Sequence, residues 1–101
     1  MTACGLVDDL MDRSKVGAAV PGMRFVRDPA DCEGAELVVV DLGRHAGTVA
    51  GLRSLLPEAR IVAFGRHDDP EALAAAAAAG ADLVLPRSRF FLDPRAALTG
   101  T

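Results

Sequence analysis

Five short runs of apolar residues are spread along this chain of 101 residues, and they constrain its fold more than any other feature. Each run is continuously apolar rather than alternating, and most contain β-branched Val or Ile, which is typical of strands covered by helices on both faces. The sequence therefore predicts five buried strands, over residues 3–7, 23–26, 37–40, 61–64 and 83–85.

Segments with helical patterns lie between these runs. The strongest follows Asp69, a natural N-cap, and continues through Pro70 and an alanine-rich run as far as Gly80. Proline at the first helical position and glycine just beyond the last are typical of a helix. Weaker patterns predict helices over residues 10–19, 49–56 and 90–98, and the last of these can begin again at Asp93-Pro94.

The second crossover is shorter than the others. Only residues 27–36 separate the second strand from the third, which is near the lower limit for a parallel crossover and leaves room for little more than one helical turn. Strands that alternate with helices predict an α/β fold. We expect one doubly wound, five-stranded parallel sheet with helices on both faces and a shortened second helix.

Composition sets limits on the classes of function. The chain is long enough for one domain, and its net charge of −3 does not favour nucleic acid or a membrane surface as a partner. Its longest apolar stretch is too short to span a membrane, and no secretory leader is evident, so we expect a cytoplasmic protein. Cys4 and Cys32 lack metal-ligand spacing, and we expect both to be reduced thiols.

Charged residues follow every predicted strand except the second. In a parallel α/β sheet, ligands bind in the crevice at the carboxyl ends of the strands, so this is where we expect a site. The residues concerned are Asp8, Asp9, Asp41, Arg44, His45, Arg66, His67, Arg87 and Arg89.

Three segments together resemble response-regulator receiver domains. "LVDD" is similar to the acidic pair after the first strand of that family, "ELVVVDL" to its third strand, and "GADLVLPRS" to its fifth strand. The resemblance covers nearly the whole chain, residues 1–101. It implies the flavodoxin-like strand order 2-1-3-4-5 and a signalling role in a two-component phosphorelay.

The resemblance also implies site residues. Asp8 and Asp9 would help to hold Mg²⁺, and Asp41 would be both a metal ligand and the phospho-acceptor. Neighbouring strands lie about 5 Å apart, so the ends of the first and third strands would bring these carboxylates together. Mg²⁺ is bound by one or two carboxylates plus waters, which fits such a group.

Three positions depart from the family pattern. The family usually has Ser or Thr where this chain has Gly65, an aromatic switch residue where it has Val84, and lysine where it has Arg87. Glycine has no side-chain donor for a phosphate, and a planar guanidinium does not replace an ammonium at a tight anion site. We therefore expect a pseudo-receiver in which Arg87, with Arg44 or Arg66, pairs with Asp41 and the Asp8/Asp9 pair.

Simpler roles exist for the same residues. Asp8 or Asp9 can be the N-cap of the helix that follows, Asp41 can be a solvent-facing turn residue, and the arginines can be solvated loop charges. Phe90, Phe91 and Leu92 cannot all be buried on one face, so we expect at least one of them to be an exposed apolar spot on a partner or homodimer face.

Four functions remain open from the sequence. The leading one is a stand-alone receiver-like module that is not an enzyme and docks to a protein partner, a sensor kinase or a downstream effector. The second is a phosphorylation-competent, Mg²⁺-dependent receiver. The others are a small Mg²⁺-dependent phosphotransfer enzyme and a module that binds a phosphorylated ligand, which are weakened by the absence of a lid and of a glycine-rich phosphate loop.

Overall fold

The computed structural model describes residues 1–100. It contains one five-stranded sheet in which all strand pairs are parallel. The strand order is β2-β1-β3-β4-β5, which confirms the predicted order 2-1-3-4-5. The strands are β1 (Ala3–Leu6), β2 (Arg24–Phe25), β3 (Leu37–Asp41), β4 (Arg60–Gly65) and β5 (Leu83–Pro86).

Helices cover both faces of the sheet, as the continuous apolar strands predict. The second crossover contains only a 3-10 helical turn, Pro29–Cys32, which confirms the shortened second helix. The α-helices are α1 (Leu10–Ala19), α2 (Leu42–His45), α3 (Val49–Leu55), α4 (Pro70–Ala78), α5 (Arg87–Phe90) and α6 (Pro94–Thr99), and a further 3-10 turn, Ala46–Thr48, lies between α2 and α3. No helix in residues 1–100 is long and apolar enough to cross a membrane.

The core lies in two layers, one on each face of the sheet. Val38 and Ile61 point to the layer that contains Leu52 of α3, whereas Val39 and Phe64 point to the layer that contains Val16 of α1. Because successive side chains of a strand point to opposite faces, the apolar runs fill both layers at once. This explains why the strands do not alternate between apolar and polar residues.

The last helical segment, expected over residues 90–98, begins again at Asp93-Pro94, the restart that the sequence suggested. It forms two helices, α5 and α6, which are separated by residues 91–93. The break is local: the Asp93 side chain accepts a hydrogen bond from the Ala96 N–H, and Pro94 takes the first position of the new helix. Asp93 is therefore a new N-cap.

The register of the sheet aligns the carboxyl ends of four strands. Leu6 of β1 pairs with Val40, Asp41 of β3 pairs with Phe64, and Gly65 of β4 pairs with Pro86. The residues that follow these strands consequently meet at one edge of the molecule.

Candidate functional site

A polar cleft of about 570 Å³ opens at this edge. The loops after β1, β2, β3 and β5 contribute to its walls, together with the first turn of α1. Its lining residues are Asp8, Asp9, Asp12, Arg27, Asp41, Arg44 and Arg87. The cleft therefore contains the three predicted aspartates and Arg87, together with Asp12, which the sequence analysis did not single out.

The two adjacent aspartates after β1 have different partners. Asp9 is the N-cap of α1, because its Oδ1 accepts a hydrogen bond of 2.9 Å from the Asp12 N–H. Asp8 Oδ1 lies 3.0 Å from His45 Nε2, and this hydrogen bond holds the pKa of Asp8 below its usual value. The helix-capping role is thus confirmed for Asp9, and His45 is the cationic partner of Asp8 when its ring is protonated.

Asp41, the predicted phospho-acceptor, is the last residue of β3 and is only 7% exposed. Its Oδ1 accepts a hydrogen bond of 2.9 Å from the Gly43 N–H and so forms the N-cap of α2. This hydrogen bond ties one of the two carboxylate oxygens to the start of α2. Asp41 is not the solvent-facing turn residue of the simpler alternative.

The strongest contact in the cleft joins Asp12 and Arg87. Arg87 Nη1 donates to Asp12 Oδ2 and Nη2 donates to Asp12 Oδ1, each at 2.9 Å, so the pair is bidentate. Asp12 is 4% exposed and belongs to the buried face of α1, one turn before Val16. Charge-assisted, two-point contacts of this kind fix the orientation of both side chains.

The expected pairing of Arg87 with Asp41 is therefore wrong. Its direct partner is Asp12, whose hydrogen bonds raise the pKa of Arg87, while Asp41 and Asp9 act on it only through longer-range electrostatics. The guanidinium also lies 5.3 Å from the ring centre of Phe64 and 5.1 Å from that of Phe91. The two rings therefore pack beside the guanidinium where it meets Asp12 of α1.

Arg66 is not part of the cleft, in contrast to the expectation. It pairs with Asp68, two residues further along its own loop, through Nε and Nη2 at 2.9 and 2.7 Å. Both side chains are exposed. The alternative of a solvated loop charge is confirmed for Arg66.

Signals for Asp12 were present in the sequence. Asp12 is three residues after Asp9 and four before Val16, so a helix over residues 10–19 places it on the same face as the buried valine. A carboxylate on the buried face of an amphipathic helix needs a cationic partner. The sequence offered several arginines and did not indicate which one.

Leu42 and Leu73 pack closely beside Gly65. A Cβ added at this position would lie 3.3 Å from Leu42 Cβ and 3.3 Å from Leu73 Cδ2. Val84, at the position of the aromatic switch residue, is partly buried and packs against the core layer of α3. Neither position has a side chain that could bind a phosphate or rotate as a ring.

The aspartates do not converge as a metal site. Among residues 1–100, no group of three or more His, Cys, Asp or Glu side chains is arranged to hold a metal ion. Asp8 is directed to His45, Asp9 to the N-terminus of α1, and Asp41 to that of α2. In this arrangement the three residues line one cleft and do not fit a divalent cation as a ligand set.

Of the three residues expected to supply an exposed apolar spot, one does so. Phe90 is fully buried and stacks on Phe64 with ring centres 4.7 Å apart, so it does not contribute to a surface. Phe91 is partly buried, edge-on to both rings. Leu92, which is 79% exposed, is the apolar residue of this segment that faces solvent.

Sequence comparison finds no match: no family model and no curated protein matches the chain. Structure comparison, in contrast, finds response regulators. A response regulator from Burkholderia pseudomallei, crystallised with a phosphorylated aspartic acid, a calcium ion and citrate, superimposes with a TM-score of 0.77 at 19% identity over 97% of this chain. NtrX from Brucella abortus, in complex with ADP, gives 0.72 at 20% identity over 99% of the chain.

A response regulator in red light signalling of R. palustris is also similar, with a TM-score of 0.66 at 16% identity over 94% of this chain and 89% of its own. The chain spans 66% of the Burkholderia protein and 28% of NtrX. These likenesses show that the chain has the flavodoxin-like fold of response-regulator receiver domains.

Proposed function

We propose that this chain is a receiver-like signalling module that acts by docking to a protein partner, with phosphorylation at Asp41 lost or uncoupled. The Asp12–Arg87 ion pair is the observation that carries this proposal. In the family pattern the cation after the fifth strand serves the phospho-acceptor site. Here that cation is bound at two points to a buried carboxylate on another element.

The packing around Gly65 supports the same proposal. The family's Ser or Thr hydroxyl at this position follows the phosphate, and this chain has Leu42 and Leu73 against the glycine instead. A phosphoryl group on Asp41 would thus find neither the hydroxyl nor a free cation from β5. Because Gly65 has no side chain that could bind the phosphoryl group, we propose that phosphorylation of Asp41 would not be transmitted to β4 and β5.

The internal pairing of the aspartates is a further support. Like charges at the end of a sheet repel unless they are neutralised. In this cleft Arg87 neutralises Asp12, the His45 ring hydrogen-bonds to Asp8, and backbone N–H groups at helix N-termini hydrogen-bond to Asp9 and Asp41. The module we propose has no enzymatic activity and rests in one conformation that a sensor kinase or effector in the cytoplasm would recognise.

A phosphorylation-competent receiver is the second candidate. It is favoured by the position of Asp41, which ends β3 and lines the same cleft as Asp8 and Asp9. The similar response regulator from Burkholderia pseudomallei was crystallised with a phosphorylated aspartic acid and a calcium ion. In this candidate, rotation of the Asp8 and Asp9 side chains away from their present partners would be needed before Mg²⁺ could bind.

Intact-mass measurement after incubation with Mg²⁺ and a small phosphodonor distinguishes the two candidates. We expect no phosphoryl addition to the wild-type protein and none to Asp41→Asn. Stoichiometric addition to the wild type that disappears in Asp41→Asn would establish the second candidate and overturn the first.

The exposed Leu92 provides a test of self-association. We propose that Leu92, at the turn between α5 and α6, is part of the docking face, which can also pair two copies of the chain. Light scattering at high concentration should then show a larger species in the wild type than in Leu92→Ser. A strict monomer in both proteins would rule out the homodimer.

A further inference from the structure

The two cysteines, which are far apart in the sequence, meet in the core. Cys4 Sγ and Cys32 Sγ lie 2.6 Å apart, and both residues are fully buried free thiols. A disulfide bond is about 2.05 Å long, so a small movement of one side chain would bring the sulfurs to bonding distance. We propose that Cys4 and Cys32 form a reversible disulfide site.

The positions of the two residues favour this pairing over contact with another chain. Cys4 lies in β1, between β2 and β3. Cys32 ends the 3-10 turn and is the only buried residue of that turn. The sulfur pair is therefore a buried contact between the shortened crossover and the sheet, and no cysteine of another molecule can reach it in the closed state.

Hydrogen peroxide is the class of oxidant that the site would take. One thiol, as its thiolate, attacks a peroxide oxygen; the O–O bond breaks, the sulfur becomes a sulfenic acid, and water leaves. The second thiol attacks this sulfur, the S–O bond breaks as the S–S bond forms, and a second water leaves. Two electrons pass from the sulfurs to the peroxide, and both thiol protons end in the released water.

Local opening of the crossover controls the reaction. Burial and the neighbouring thiol of Cys4 raise the pKa of Cys32, so the closed protein holds a thiol rather than the reactive thiolate. β2 has only two residues and lies at the edge of the sheet, and Cys32 is the buried residue of the 3-10 turn that follows it. Segments with so few buried contacts open more easily than the centre of a domain.

Oxidation would tie the second crossover to β1. The crossover also carries Arg27, which lines the polar cleft. A disulfide closes a loop of Cys4 to Cys32 and restricts the unfolded chain, so the oxidised protein should be more stable. The disulfide site does not involve Asp41. If no disulfide forms, the proposed function is therefore unaffected.

Thiol counting on the full chain tests the proposal. The protein is exposed to hydrogen peroxide under native conditions, unfolded, and alkylated before and after treatment with a dithiol reductant. We expect no alkylated thiol before reduction and both thiols afterwards, with the Cys4 and Cys32 peptides linked within one chain. The oxidised protein should melt about 5–20 °C above the reduced protein.

Cys4→Ala and Cys32→Ala are the matched controls. Neither has a second thiol, so neither should show a dithiol-reversible loss of alkylation within one chain or a rise in melting temperature on oxidation. Three results in the wild type would overturn the proposal, independently of how the variants fold. They are thiols that remain open to alkylation after peroxide, thiol loss that the reductant does not reverse, and an oxidised form that melts below the reduced one.

Discussion

Asp12 and Arg87 hold the cleft in its present arrangement. The side chain of Asp12 is 6% exposed, and that of Arg87 is 40% exposed because only the carboxylate side of the pair lies in the core. Loss of one partner from such a pair leaves a charge without compensation, which is the main source of destabilisation.

Replacement of Arg87 tests this pair. Arg87→Ala should lower the free energy of unfolding by about 1–3 kcal/mol, because Asp12 loses both hydrogen bonds while solvent can partly reach it. The unfolding free energy of Arg87→Lys should lie between those of Arg87→Ala and the wild type, since an ammonium cannot make the same two-point contact. Denaturant titration measures both.

Arg66→Ala is the control for that experiment. Arg66 also forms a two-point contact with an aspartate, but both residues are fully solvent-exposed, so its loss should change stability little. Equal effects of Arg66→Ala and Arg87→Ala would show that burial of Asp12 does not matter.

Gly65 supports a second prediction at the residue scale. Gly65→Thr restores the family's hydroxyl, yet its side chain must displace Leu42 and Leu73. We expect a loss of about 1–3 kcal/mol from overpacking and no gain of phosphorylation. Gly51→Ala is the matched control, because an added Cβ there meets nothing and should instead stabilise α3 by up to about 1 kcal/mol. A stable Gly65→Thr protein that takes up phosphate would contradict this account.

At the scale of elements, Arg53 joins the end of α3 to two loops. Its guanidinium donates to the carbonyl oxygens of Ala59 and Gly80, at 2.8 Å each, and to Asp82 Oδ2 at 2.6 Å. The same Asp82 oxygen accepts a hydrogen bond of 2.8 Å from the Ile61 N–H. Asp82 thus connects the start of β5 with β4 and α3.

The ionised form of Asp82 stabilises the folded state. Burial alone would raise its pKa, but the hydrogen bonds from Ile61 and Arg53 outweigh this and leave the pKa below its model-peptide value of 3.8. The unfolded state therefore binds the proton more readily than the folded state. By linkage, the stabilisation is present above about pH 4 and is lost as the pH falls through the folded-state pKa.

Asp82→Asn tests this linkage. Its unfolding free energy should be lower than that of the wild type at pH 7, and the difference should shrink as the pH falls below about 4. Urea titrations of both proteins at a series of pH values measure the difference. A difference that stays constant down to pH 2, or grows, would contradict the role of the Asp82 carboxylate.

Strands and helices were predictable where a short stretch of sequence carries the pattern. The apolar runs predicted all five strands, and the range of residues 10–19 is the observed extent of α1. The restart at Asp93-Pro94 was indicated by its N-cap aspartate and proline, whereas the start of α5 was placed too late, because the aromatic residues 90–91 suggested a helix that begins where α5 ends. The many contacts of Arg53 were not predictable, since most of its partners are backbone carbonyls of loops whose course the sequence does not reveal.

At the scale of the whole molecule, one rule of parallel sheets placed the site. The carboxyl ends of the strands meet at one edge, so the position of the cleft followed from the strand order and the charges after each strand. The pairing inside the cleft did not follow, because it depends on which face of α1 turns inward and on where the rings of Phe64 and Phe91 direct Arg87. The fold is that of a receiver domain, and the aspartate side chains of its cleft are hydrogen-bonded to other groups of the same chain.

The central claim is that these internal contacts fix the cleft in one state. Two-dimensional amide NMR spectra of the labelled protein, with and without Mg²⁺ and beryllium trifluoride as a mimic of a phosphoryl group, test it most directly. We predict that the signals of Asp41, Gly65 and Arg87 remain where they are in the free protein. Shifts of these signals that spread to β4 and β5 and disappear in Asp41→Asn would contradict the account.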